Sequence, residues 1–148
     1  NDHVEQIIRP ALAQGRVVLC DRFIDSSRVY QGITGNLDVA FVDSLEEIAI
    51  DGVRPNMTII LDLPAEIGLT RARKRGEAEG ATGGPDRFEK EEVDVHEKRR
   101  QAFLEIAESA PDRCRVIDAQ LSEDEVAAAI LEAVNELMVK RGHADDAS

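Results

Sequence analysis

Apolar residues Val4, Ile7, Ile8 and Leu12 recur at helical spacing and Gly15 follows them, a pattern that predicts an amphipathic helix over about 3–13 with a glycine stop. Residues 17–20 (VVLC) are then wholly apolar between polar flanks, which suits a short strand buried on both faces. From Asp38 a second helical stripe runs through Phe41, Leu45 and Ile48 to Gly52, and residues 57–63 (MTIILDL) predict the next strand. Pro64 opens a helix at its first position, where a missing N–H costs nothing. That helix carries Arg71, Arg73, Lys74 and Arg75. Residues 76–86 (GEAEGATGGPD) have four glycines, a proline and no period, so they read as a mobile loop within a domain. A long helix over about 88–108 and a third strand at 115–118 (RVID) follow. Ser122 with Glu125 then forms a capping box for a last helix striped by Val126, Ile130, Val134 and Leu137. The polar tail 141–148 reads as disordered.

Strands alternating with helices call for a parallel sheet covered on both faces, so the fold class is α/β. The length of 148 residues suits a single domain, taken here as 1–140, with enough interior for a core. With no Trp, one Tyr and four Phe, that core must come mainly from Leu, Ile, Val and Ala. A net charge of -12 argues against nucleic acid or an anionic membrane as partner, so any anionic ligand needs a local basic site. Cys20 and Cys114 both lie in apolar runs and read as buried, reduced thiols of a cytoplasmic protein. No apolar stretch approaches the roughly 20 residues that span a bilayer.

Candidate chemistry gathers after the first apolar run. Ligands of open parallel sheets bind at the carboxyl ends of the strands, where Asp21 and Arg22 fall. A carboxylate there can hold a magnesium ion through water, and the guanidinium beside it can grip a phosphate with two parallel hydrogen bonds. Ser26, Ser27, Tyr30 and Gln31 follow with hydroxyls and an amide able to read a base or sugar. The same residues also admit a purely structural account in which Asp21 caps the next segment, Arg22 pairs with it and Tyr30 fills core. The basic cluster at 71–75 has its own plain account as a helix end whose cations offset the dipole. His96 reads as a helix-surface residue, since it has no partner at metal-ligand spacing.

The run D-R-F-x-x-S-S-x-x-Y-Q-G at 21–32 resembles the second signature of bacterial thymidylate kinases. The similarity continues through R-A-R-K-R-G, D-R-F-E at 86–89 and H-E-K-R-R-Q-A-F-L-E-I-A at 96–107, which look like that family's lid (about 71–88) and the helix behind it. V-R-P-N-M-T-I-I-L-D-L-P and R-V-I-D-A resemble its later strands. The resemblance implies a P-loop kinase-type sheet with helices on both faces, and transfer of a phosphoryl group from ATP to dTMP with Mg2+. It implies that Asp21 sits near the metal and the transferring phosphate, and that Arg22 binds the acceptor's phosphate. Ser26, Ser27, Tyr30 and Gln31 would line the acceptor pocket, where the tyrosine disfavours a ribose 2'-hydroxyl. Arg71, Arg75 and Arg87 would supply lid cations, and Asp118 and Ala119 would lie against the donor nucleotide. Family members are commonly dimers packed through helices, which makes the stripes beginning near Val4 and Asp38 candidates for a homodimer contact.

The sequence departs from the family pattern in two places. Nothing in it matches G-x-x-x-x-G-K-[ST], and the glycines at 80–84 lack a following lysine, so the resemblance places the donor's phosphate loop before Asn1. On that expectation the 148 residues alone would not catalyse transfer at a useful rate, and their sheet would leave apolar edges open. Gly35 also stands where the family usually has an arginine after Y-Q-G. Two rival readings therefore stand beside the kinase: a related nucleotide or nucleoside kinase with another acceptor, and a truncated, non-catalytic chain acting through self-association.

Overall fold

Helical periodicity near the start of the chain produces α1, which is π-helical over Val4–Ile8 and α-helical over Arg9–Ala13. A computed structural model of the chain describes residues 3–33, 44, 48, 50–78 and 88–145. It divides into two compact units, Asn1–Asn56 and Met57–Ser148.

In the first unit, α1 buries Val4 and Ile8 and ends at Gly15, whose φ of 69° is the left-handed conformation that stops a helix. Arg9 ties α1 to the turn after the buried Ile50. Its Nε bonds Glu5 at 2.7 Å, and its NH2 donates to both the carbonyl and the carboxylate of Asp51 at 2.5 Å. Ser44, Ile48 and Ile50 are helical, as the stripe from Asp38 predicts, but the rest of that segment lies outside the described residues. Helix α2 comprises Ile24–Ser27 and a π-helical continuation, Arg28–Ile33.

One expectation fails in this unit. Residues 17–20 form no ladder with any described residue, and Val17 and Leu19 are 76% and 96% exposed. Cys20 is exposed with them, so of the two thiols expected to be buried only Cys114 is. The reason is that a strand satisfies its backbone only through a neighbour, and apolar composition cannot substitute for a partner that the described residues do not supply.

The second unit contains β1 (Thr58–Asp62), α3 (Ala65–Ala78), α4 (Phe88–Ser109), β2 (Cys114–Asp118) and α5 (Glu123–Asp145). The two strands pair in parallel, from Thr58 opposite Cys114 to Asp62 opposite Asp118, and α3 and α4 form the crossover that parallel pairing requires. Alternation along the paired strands puts Ile60 and Cys114 on one face and the buried Ile117 on the other. Ile60 and Cys114 cluster with Ala107 of α4, against which Phe103, Ile106 and Ala110 pack. Leu61 and Val116 lie on exposed positions of the same strands.

Helix α5 begins with the expected capping box. The Ser122 Oγ accepts from the Glu125 N–H at 3.3 Å, and the Glu125 carboxylate accepts from the Ser122 N–H at 3.0 Å. Its far end passes Lys140 and reaches Asp145, beyond the point where the sequence pattern begins a polar tail, because Arg141 to Asp145 include no proline to stop it.

Candidate functional site

The residues expected to line an acceptor pocket fall together in the first unit. Asp21 and Arg22 form an exposed bend directly after residues 16–20. Arg22 has a φ of 63°, a left-handed conformation that costs an L-residue roughly 1–2 kcal/mol. The bend is braced by the Cys20 thiol, which donates to the Arg22 carbonyl at 3.5 Å. Phe23 then leaves the helical region (φ -137°, ψ -143°) and serves as N-cap of α2, its carbonyl accepting from the Ser26 N–H at 3.1 Å. Ser26, Ser27 and Tyr30 are half-buried on that helix, anchored by buried Ile24 and Val29. The Arg22 guanidinium carbon lies 5.3 Å from the centroid of the Tyr30 ring. The backbone of Gln31 is helical and its side chain lies outside the described residues.

The residues expected on the donor side, and the basic cluster, fall in the second unit. Arg71, Arg73, Lys74 and Arg75 are exposed on α3, and Arg71 reaches the carboxyl end of β2, its NH1 donating to the Ala119 carbonyl at 2.8 Å. The Ala119 N–H in turn donates to the Asp62 carbonyl at 2.8 Å, which extends the ladder one residue past Asp118. Asp118 turns its carboxylate back on the chain and accepts from the Gln120 N–H at 2.8 Å. Asp118 and Ala119 thus form a tight turn at a strand's carboxyl end, with Arg71 fastened to it. Arg87 lies outside the described residues, as does most of the glycine-rich stretch. His96 is partly exposed on α4.

A charged cluster beside that turn was not singled out by sequence. Arg100 of α4 grips the Asp62 carboxylate with both arms, Nε to Oδ1 at 2.6 Å and NH2 to Oδ2 at 2.9 Å, and also bonds Glu97 at 2.8 Å. The second oxygen of Glu97 accepts from the Ala65 N–H at 3.4 Å, so it caps α3 from the neighbouring helix. Arg100 hydrogen bonding holds the Asp62 carboxyl below the usual carboxylate range. Glu97 is lowered as well, first by its bond from Gln101 and further by Arg100, while both acids raise the guanidinium. The signal was present in MTIILDL, where one acid ends an apolar strand. Its arginine partner stands 38 residues away, a separation no local pattern bridges.

A parallel pair of strands, a helical crossover bearing arginines and a polar turn at the strands' carboxyl ends define an α/β protein of the P-loop kinase type. A family model described as thymidylate kinase matches residues 1–130. A thymidylate kinase from Caulobacter vibrioides is 50% identical over 133 residues, covering 90% of this chain and 61% of that protein. A second, from Nitrobacter winogradskyi, is 45% identical over all 148 residues and 63% of its own length. The crystal structure of thymidylate kinase from Ehrlichia chaffeensis aligns with 90% of this chain and 57% of that one, at a TM-score of 0.63 and 28% identity. The chain belongs to the thymidylate kinase family. It spans about three fifths of the length of these relatives.

Proposed function

We propose that the chain takes part in transfer of the γ-phosphoryl group of ATP to dTMP, giving dTDP and ADP, and that it supplies the acceptor pocket and part of the donor site. The observation that carries this reading is the D-R-F-x-x-S-S-x-x-Y-Q-G run at 21–32, folded as a bend and a helix that put Arg22 beside Tyr30. Phosphoryl transfer asks a protein mainly for positioning and for cations around the equatorial oxygens, and arginine suits both because its planar fork matches phosphate. Arg22 binds the acceptor's phosphate, and Ser26, Ser27, Tyr30 and Gln31 hold its nucleoside. Arg71 and Arg75, with Arg87, neutralise charge on the transferring group. Asp118 and Ala119 contact the donor nucleotide through the turn that Arg71 stabilises.

Magnesium needs hard oxygen donors and commonly keeps several waters, binding through one or two carboxylates and the substrate's phosphates. Asp21 fits that requirement as an exposed carboxylate at the bend, and no cluster of three or more ligating side chains exists among the described residues to suggest a fully protein-built site. Held there, the ion would offset negative charge on the phosphates. We further propose a cytoplasmic homodimer, in keeping with nucleotide substrates and with the exposed Ile7, Leu12 and Ile48 of the first unit's helices. No helix among the described residues is long and apolar enough to cross a membrane.

Calorimetric titration of the chain with dTMP, ATP and other nucleoside monophosphates tests the reading. Saturable binding of dTMP in preference to dCMP, dGMP and dAMP is the expected result. Preference for another acceptor, or heat from none of them, would sink it.

A further inference from the structure

Two independent features meet at Arg22. Its backbone is left-handed in a residue with a Cβ, and its guanidinium lies against the face of Tyr30, eight residues on and two turns into α2. An exposed arginine ordinarily samples many rotamers, and fixing it on phosphate costs the side-chain entropy of that freedom. A guanidinium is a planar fork of N–H donors, so a cation held over a ring can still present that fork to a phosphate. Tyr30 is half-buried on the helix that buried Ile24 and Val29 anchor. The bend and the ring together provide a rest for one cation.

We propose that Tyr30 is a positioning residue for Arg22: its ring face holds the guanidinium in place to receive the phosphate of a nucleoside monophosphate, in addition to any contact of the tyrosine with the sugar. The proposal rests on the reading of Arg22 as the acceptor-phosphate ligand. Its central requirement is energetic coupling. Removal of the ring weakens dTMP binding more while the arginine is present than in its absence.

The chain has one tyrosine and no tryptophan, so emission excited at tyrosine wavelengths reports on Tyr30 alone. In the unliganded chain, Arg22→Ala is expected to change that emission, because the ring loses the cation against its face. With dTMP as the calorimetric probe, Tyr30→Leu is expected to weaken binding about two- to five-fold, the range for an exposed cation–π pair. Tyr30→Phe, which keeps the ring, is expected to bind dTMP more tightly than Tyr30→Leu. In an Arg22→Ala background, Tyr30→Leu is expected to cost less than it does in the wild-type chain, the remainder being the tyrosine's own contact with the nucleoside. Identical emission from the wild-type and Arg22→Ala chains would overturn the proposal, and so would an equal effect of Tyr30→Leu with and without Arg22. Should Tyr30→Leu lose its helical circular dichroism, the emission comparison and Tyr30→Phe decide alone. Failure of the wild-type chain to bind dTMP would overturn the kinase reading and this proposal together, whereas binding indifferent to Tyr30 would overturn only the proposal.

Discussion

Arg22 is held in a conformation that glycine would adopt without strain, so the residue trades local stability for a cation at that point. Arg22→Gly is accordingly expected to melt no lower than wild type while binding dTMP at least about ten-fold more weakly, since a charge-assisted hydrogen bond contributes roughly 1.5–3 kcal/mol. Parallel melting and titration curves check both halves. A lower melting temperature would show that the left-handed arginine is not strained. Asp62 makes the opposite case, a residue whose chemistry supports the fold. Its side chain is only 22% exposed and its Arg100 partner 26%, so solvent screens the pair incompletely. Because the folded state depresses the Asp62 carboxyl below its unfolded value, the stabilisation is complete above that value and is lost as pH falls through the folded one. Thermal stability should thus decline on acidification from about pH 5, with Glu97 contributing in the same direction. Asp62→Asn should melt lower at neutral pH and show a shallower acid slope. Arg100→Ala should cost about 2 kcal/mol by denaturant melts at pH 7.

At the scale of elements, what the sequence made legible depended on how local the determining interaction was. The capping box of α5 was readable because both partners lie three residues apart and the helix begins where they place it. Ser122→Ala tests that directly, with an expected loss of about 1 kcal/mol in a denaturant melt. Strands β1 and β2 were readable from apolar runs bounded by Pro64 and by the turn at Ala119 and Gln120. The run at 17–20 is more apolar still, yet it pairs with no described residue and exposes Val17 and Leu19, because a strand's identity is settled by its neighbour rather than by its own residues. The site shows the same division. Asp21, Arg22, Ser26, Ser27 and Tyr30 lie within ten residues of one another, so a single motif could single them out as candidates. Asp62, Glu97 and Arg100 act through long-range bonds and emerged only from the structure. The Arg71 bond to the Ala119 carbonyl, 48 residues away, likewise joins two expected site residues in a way that spacing could not show.

At the scale of the whole molecule, the assignment of residues to two compact units gives the proposed reaction a distinct experimental signature. The proposed acceptor groups lie within Asn1–Asn56, and the proposed donor-side groups among the described residues, Arg71, Arg75, Asp118 and Ala119, lie within Met57–Ser148. A ligand that binds only the folded form stabilises what it touches by RT ln(1 + [L]/Kd), about 2.7 kcal/mol at a hundredfold excess over Kd. Amide exchange reads that stabilisation locally, since protection follows the free energy of opening of each cooperative region. Saturating dTMP should therefore slow exchange at residues 21–32, and ATP should slow it at the β2 turn, 117–121. The Asp62–Arg100 pair provides an internal control: Arg100→Ala should speed exchange along β1 and β2 without changing the dTMP protection of the first unit. Protection by dTMP centred on the β2 turn would reverse the assignment of acceptor and donor residues. Uniform protection of the whole chain by either nucleotide would instead show that the two units open as one.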